Sequence, residues 1–321
     1  MSEYQHYAFA AVDRQLTADE MAELRALAKR ATITPTQFVL ELHTGDFDGR
    51  PDDLMVRLFD AHTYVSNWGT TDFQLRLPKE ALVRDVVKPY LVEERLEVRQ
   101  KGEILILTLH LECGEKSNNA EGAADWLPGL LPLRKDIMAG DLRALYLGWL
   151  TAVQDGIVAD GVQEPPVPKG LDALTPPLEV LARLLRLDGS MIAVAAGSSA
   201  TLRTAKALKA AAKQHAEDKQ RSAADQAGAA RNKVLDALKA REEQAWSEVA
   251  EVIGMPGAGP TKTAAFKAKA KLLHELRELA TRDGASEAFD ARLAALRERF
   301  IKVPGFWMFY DPPRVSKAFG Q

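Results

Sequence analysis

Between Lys209 and Ala230 the chain runs through alanine, lysine, glutamine and acidic residues without one large apolar side chain. Most of these residues favour helix, yet a helix with no apolar stripe has nothing to bury against a core. The segment therefore predicts a helix that projects or packs only lightly, and it confines any core to the sequence before it or after it. The helical pattern spans Thr201–Ile253 with a weak interruption at Gly228. In its second half Leu235, Leu238, Trp246, Val249 and Ile253 return at spacings of a docked helix. The run GMPGAGP at Gly254–Pro260 breaks it. Thr261 opens another helix, with Phe266, Leu273, Leu276 and Ala280 on one face. Gly284 suits a C-cap, and Ser286 opens a third helix carrying Phe289, Leu293, Leu296 and Phe300. A helical hairpin or antiparallel bundle follows.

The first 115 residues carry the other periodicity. Tyr4–Val12 and Ile33–His43 alternate as half-buried strands do. Between them Thr17 and Glu20 form a capping box at the head of a helix bearing Met21, Leu24 and Leu27. TGDFDGRP at Thr44–Pro51 reads as a loop, and Asp52 or Asp53 as the cap of a short helix through Phe59. Thr63–Asn67 and Asp72–Leu77 predict a hairpin over Trp68-Gly69. Lys79–Leu91 reads as a helix, and Leu96–Arg99 with Ile104–Leu111 as a second hairpin. In its last strand Leu105, Leu107, Leu109 and Leu111 share a face, which predicts a central position.

Residues 114–125 are small and polar, a surface loop. DLRALYLGWLTAV from Asp141 is apolar nearly all round and predicts a helix buried between layers. Glu164–Pro177 is proline-rich and reads as a stiff connector. The expected fold is α+β: a mixed or antiparallel N-terminal sheet with covering helices, then a helical C-terminal part with a long helix and a helical hairpin. The expected domains are 1–115, a helical middle over 126–200, and a basic helical domain over 201–321.

The net charge of −3 over 321 residues hides a division. Residues 1–200 hold 20 Lys and Arg against 30 Asp and Glu; residues 201–321 hold 22 against 15. Opposed charge of this kind suits self-association, a protein partner or an anionic one. A single cysteine, Cys113, precludes an intramolecular disulfide and a multi-cysteine zinc site. No apolar run reaches the roughly 18 residues of a membrane span, and MSEYQHYAF lacks the form of a secretory leader. A cytoplasmic protein without membrane contact or cofactor is the expectation.

Several groups of residues carry possible chemistry. His43, Asp46, Asp48, Asp52, Asp53, Asp60 and His62 crowd one stretch of sequence. If the strands flanking that loop are neighbours, His43, Asp46, Asp60 and His62 could act as acid and base or as a metal-assisted hydrolase or nuclease site. His43, Asp46 and Asp48 form the smaller metal set. The weightier reading makes them turn and cap residues. GMPGAGPTKT resembles a phosphate loop, but Pro260 and Thr261 separate Gly259 from Lys262 and no strand precedes it, so it reads as a helix breaker. His110 faces away from the leucines of its strand, as a half-exposed partner. Acidic Glu112 and Glu115 argue against a reactive Cys113, and Ser198-Ser199 lacks a nucleophile elbow. Lys206, Lys209, Lys213, Lys219 and Arg221, with Lys262, Lys267, Lys269 and Lys271, could neutralise phosphates without reading sequence. Glu217, Asp218 and Asp225 interrupt that stripe, which reads more simply as a solvated face. FWMFY at Phe306–Tyr310 is a strap over the bundle or a docking peptide, and burial is the weightier reading.

DLRALYLGWL, HTGDFDG and AHTYVSNWGT resemble, over residues 1–180, a set of bacterial proteins with no assigned activity. The resemblance implies a bacterial cytoplasmic protein and brings no site residue with it. The leading expectation is a non-catalytic binding or adaptor protein acting through its helical C-terminal half, toward another protein or a second copy. The hydrolase reading and nucleic-acid binding are its rivals.

Overall fold

The computed structural model describes residues 3–112, 122–197, 202–256 and 259–311. Cys113, Ser198-Ser199 and most of the polar loop 114–125 lie outside them.

Seven strands form one antiparallel sheet: β1 (Gln5–Ala10), β2 (Thr32–Thr34), β3 (Gln37–Leu42), β4 (Ala61–Ser66), β5 (Thr70–Pro78), β6 (Leu96–Lys101) and β7 (Ile104–Glu112). Their order across the sheet is β2-β3-β1-β4-β5-β7-β6. The expected strand Ile33–His43 is a tight hairpin instead, because Pro35 has no amide to give a ladder and the chain turns there. The Trp68-Gly69 hairpin forms as expected, with Gly69 at φ 106°. β7 lies one strand in from the edge, with β6 outside it.

Period-two alternation sends the two sets of side chains to different neighbours. Phe73, Leu75 and Leu77 of β5 and the four leucines of β7 join one large core. Covering it are α4 (Ala123–Leu130), α5 (Pro132–Met138), α6 (Arg143–Gln154), α7 (Pro176–Leu184) and α8 (Gly189–Ala196). α6 is the helix read from DLRALYLGWLTAV, and every residue from Ala144 to Val153 is buried. It lies so close to the sheet that a Cβ on Gly148 would stand 2.7 Å from Leu109 Cδ2.

The opposite face is covered only in part. Phe9, Phe38 and Leu40 pack there with Leu24 of α1 (Ala18–Leu27) and with Leu54 and Met55 of α2 (Pro51–Arg57). α1 has the Thr17–Glu20 capping box. α2 is not capped by an aspartate. Pro51 occupies its first turn, Arg50 precedes it without a side-chain bond, and Asp52 and Asp53 sit inside that turn. The expected helix Lys79–Leu91 is three short pieces, the four-residue α3 (Arg84–Val87) between two 3₁₀ turns, with Pro89 in the second.

Buried polar contacts fasten distant segments. Asp60 accepts the amides of Val12 (2.7 Å) and Asp13 (2.9 Å). Arg134 of α5 grips Asp13 through two bonds of 2.8 and 2.6 Å. Glu164 is buried between the hydroxyl of Tyr146 and the guanidinium of Arg203 (2.8 Å), so the proline-rich segment is pinned at its start. Tyr90 holds it again at Pro166 O, 2.6 Å away.

The chain divides into two compact units, Met1–Asp218 and Lys219–Gln321. The middle helices share the core of the sheet and belong with the first. α9 (Ala205–Lys239) runs from the first unit into the second; residues 217–230 are exposed, as their composition demands. Gly228 does not break it. The interruption falls at Ala240-Arg241, before α10 (Glu242–Gly254). In the second unit α10 packs with α11 (Pro260–Arg282), α12 (Ser286–Arg299) and α13 (Pro304–Tyr310) around Trp246, Val249, Phe266, Leu273, Leu276 and Phe289. α13 is the FWMFY segment. Its Phe306 and Tyr310 are buried while Met308 is exposed.

Candidate functional site

On the partly covered face, beyond the aromatic cluster, the sheet is lined with polar side chains and remains open. The register sets Asp72 opposite His110, Gln74 opposite Thr108, and His62 opposite Gln74. All five point away from the leucine core, because alternation allows nothing else. Over them lies a cavity of about 850 Å³, bordered by Asp52 from α2, Glu97 and Arg99 from β6, and Arg95, Glu94 and Glu112.

Its groups are held in defined states. His110 Nδ1 donates to Asp72 Oδ1 at 2.5 Å, and its Nε2 lies 3.6 Å from Glu112. The Asp72 hydrogen bond, reinforced by both carboxylate charges, raises the His110 pKa above the ordinary histidine value. Such a pair is the arrangement a general base uses.

His62 behaves in the opposite way. It is buried, stacks on Phe9 with centroids 3.9 Å apart, and donates from Nδ1 to Ala8 O at 2.9 Å. A carbonyl only accepts, so the proton sits on Nδ1 and the remaining lone pair on Nε2. Burial pushes its pKa down to about 4, against the smaller pull of the Ala8 bond, and the ring is neutral at physiological pH.

Gln74 Nε2 donates to Asp52 Oδ1 at 3.0 Å, and Arg99 Nη1 donates to Asp52 Oδ2 at 3.0 Å. A carboxylate cannot donate, so the amide orientation is fixed and Gln74 Oε1 is the end without a partner. Gln74 is only 5% exposed. A buried carbonyl left unpaired costs about 1–3 kcal/mol.

The structure gathers only part of what the sequence offered. His62 and Asp52 reach the cavity, and His110 joins them. His43, Asp46 and Asp48 lie on exposed loop backbone, with His43 against the ring of Tyr4. Asp60 is occupied by the Val12 and Asp13 amides, with Arg76 3.4 Å away. So His43, Asp60 and His62 are held by separate partners, and Asp46 stands on the exposed loop. Among the described residues no three His, Cys, Asp or Glu side chains are placed to hold a metal ion. Asp72, Gln74, Thr108, Glu97 and Arg99 were not singled out in sequence. Their signal was the polar half of the alternation in β5, β6 and β7, opposite the apolar half.

Much of the basic charge is matched within the chain. Lys209 pairs with Asp160 at 2.6 Å, Lys213 stands 4.0 Å from Glu217, and Lys269 pairs with Glu248 at 2.7 Å. Lys262 donates to the Met255 carbonyl. Lys206, Lys219 and Arg221 lie on exposed turns of α9. In the second unit, Ile301, Trp307 and Met308 border a depression of about 610 Å³ beside the Arg297–Asp311 ion pair.

Against known proteins, no family model, curated protein or solved structure matches this chain. The geometry alone carries the functional reading.

Proposed function

We propose that this is a binding protein whose sheet-bearing unit takes a small polar ligand in the cavity over β4, β5 and β7. The observation that carries the reading is Gln74. Its carbonyl oxygen is buried, fixed in orientation and unpaired at the edge of a cavity large enough for a ligand. A fold retains such a group at a cost of stability, and a ligand donor offsets that cost on binding. Around it the groups are already ordered by their neighbours, so little freedom is lost when a ligand enters. The test is thermal unfolding of the wild type and Gln74→Leu against a panel of small polar metabolites. A compound that raises the wild-type Tm and leaves Gln74→Leu unmoved supports the reading. Equal shifts in both proteins, or none across the panel, reject it.

A second reading concerns the helical unit and an adaptor role. Ile301 is 74% exposed and Met308 63% exposed, beside Trp307. Paired apolar side chains at a depression suit contact with another protein. Affinity capture with the wild type and with Ile301→Glu/Met308→Glu tests this. A partner lost only by the double variant supports it, and an unchanged set of partners rejects it.

A further inference from the structure

The cavity on the sheet face has a chemical bias, and it deepens the ligand-binding reading above, on which it rests. We propose that its ligand is a small organic cation bearing N–H donors, an amine or a guanidinium.

The floor is built from acceptors. Gln74 Oε1 has no partner, and its amide cannot reverse, because its nitrogen is committed to the Asp52 carboxylate. His62 spends its only proton on Ala8 O, which leaves Nε2 as a lone pair. Neither group can give a hydrogen to a phosphate or carboxylate. Both can receive one.

The rim has the matching charge. Its carboxylates are Asp52, Asp72, Glu94, Glu97 and Glu112, against the guanidinium groups of Arg50, Arg95 and Arg99. Arg99 is engaged with Asp52 at 3.0 Å and Arg50 with Asp53 at 3.4 Å, while Arg95 meets Asp155 at 2.8 Å through one nitrogen and keeps Nε and Nη1 buried without a partner. Gln74, Thr108 and Glu97 form one row across β5, β7 and β6. Strand spacing puts the ends of that row about 10 Å apart. A ligand with a charged end toward Glu97 and N–H groups toward Gln74 fits the row. Glu94 stands at the rim with φ 62°, a left-handed backbone that a glutamate rarely adopts. Strain of that kind collects at ligand sites.

An anion meets a rim of excess carboxylate, against which the buried Nε and Nη1 of Arg95, beside Asp155, are the donors it would find. Simple cations of the alkali type would find no ordered shell. The donor geometry of an organic ammonium or guanidinium is what the site completes.

The test uses the full chain, with agmatine and putrescine as cationic probes and citrate and phosphate as anionic ones. Binding is followed by calorimetry and by the NMR signals of the Gln74 side-chain amide and the His62 ring nitrogens. The expected result is saturable binding of a cationic probe that moves both sets of signals. It weakens at least tenfold in Gln74→Leu and severalfold in Glu97→Gln, whose side chain lies on the edge strand and whose melting should match wild type. Binding of citrate or phosphate that moves the same signals would overturn the cation and leave the cavity as a ligand site. Silence of those signals with all four probes overturns the cation proposal. The wider panel of the preceding test then decides separately whether the cavity binds any ligand.

Discussion

The two faces of the sheet are made from the same strands and could hardly differ more. On one, Leu75, Leu107 and Leu109 meet α6 and its neighbours, and the few polar side chains among them, His6 and Thr63, are buried. On the other, the alternate residues of those strands are Asp72, Gln74, Thr108 and His110, and the covering helices α1 and α2 stop short of them. A strand is free to carry polar residues on a face that helices do not cover, but nothing in packing requires them to be buried, paired and oriented. Here Gln74 and His62 are buried all the same. Buried polar atoms without a partner occur on both faces, and on the open face Gln74 borders a cavity.

That contrast can be broken at several points. The largest effect is expected on the closed face, where Trp149→Ala should cost about 3–5 kcal/mol in chemical denaturation. A loss under 1 kcal/mol would mean the helices do not seal the leucines. Next comes acid. The folded pKa of His62 lies near 4 against about 6.5 unfolded, so the unfolded chain takes up its proton first. Stability from this residue is whole above pH 6.5 and falls as pH drops toward 4, by about 3 kcal/mol in all. His62→Gln should flatten that limb of a stability-versus-pH curve, and an unchanged limb would place the titration elsewhere.

A smaller effect is expected from Gly148→Ala. The added methyl would meet Leu109, and overpacking of this kind costs about 1–3 kcal/mol. A neutral result in the same denaturation assay would show that α6 can lift from β7. The smallest belongs to His110. Its pKa is raised, so the pair with Asp72 stabilises fully below pH 6.5 and fades as pH climbs through the folded value. Because the pair is half-exposed, its worth is about 1 kcal/mol or less. In Asp72→Asn the NMR titration of His110 should move down toward the ordinary histidine range. No movement would mean that Glu112, not Asp72, sets it.

Local patterns were legible where one short-range rule governed them. The Thr17–Glu20 box, the two glycine hairpins, the all-round apolar α6 and the unburied stretch of α9 each follow from a few adjacent residues. The breaks were harder. Pro35 turns a strand that periodicity would continue, and Pro89 falls where short turns replace the expected helix. Gly228 costs a helix interior about 1 kcal/mol, too little to stop one of 35 residues. The site was legible only in pieces. His62 and Gln74 share a hairpin, but Asp72 meets His110 across the pairing of β5 with β7, which no turn connects. Asp52 arrives from a helix. Proximity in sequence therefore favoured His43, Asp46 and Asp60, which the fold separates.

The place of β1 has a consequence for how this protein comes into being. β1 is made first among the strands, yet it lies between β3 and β4, and both its ladders wait for sequence that follows it. During synthesis it leaves the ribosome with two bare edges, one of which waits until more than fifty further residues have emerged, since its last partner ends at Ser66. Loss of the residues through Ala10 would therefore cut the sheet through its middle rather than trim its border, separating the β2–β3 hairpin from the ladder that joins it to the other strands.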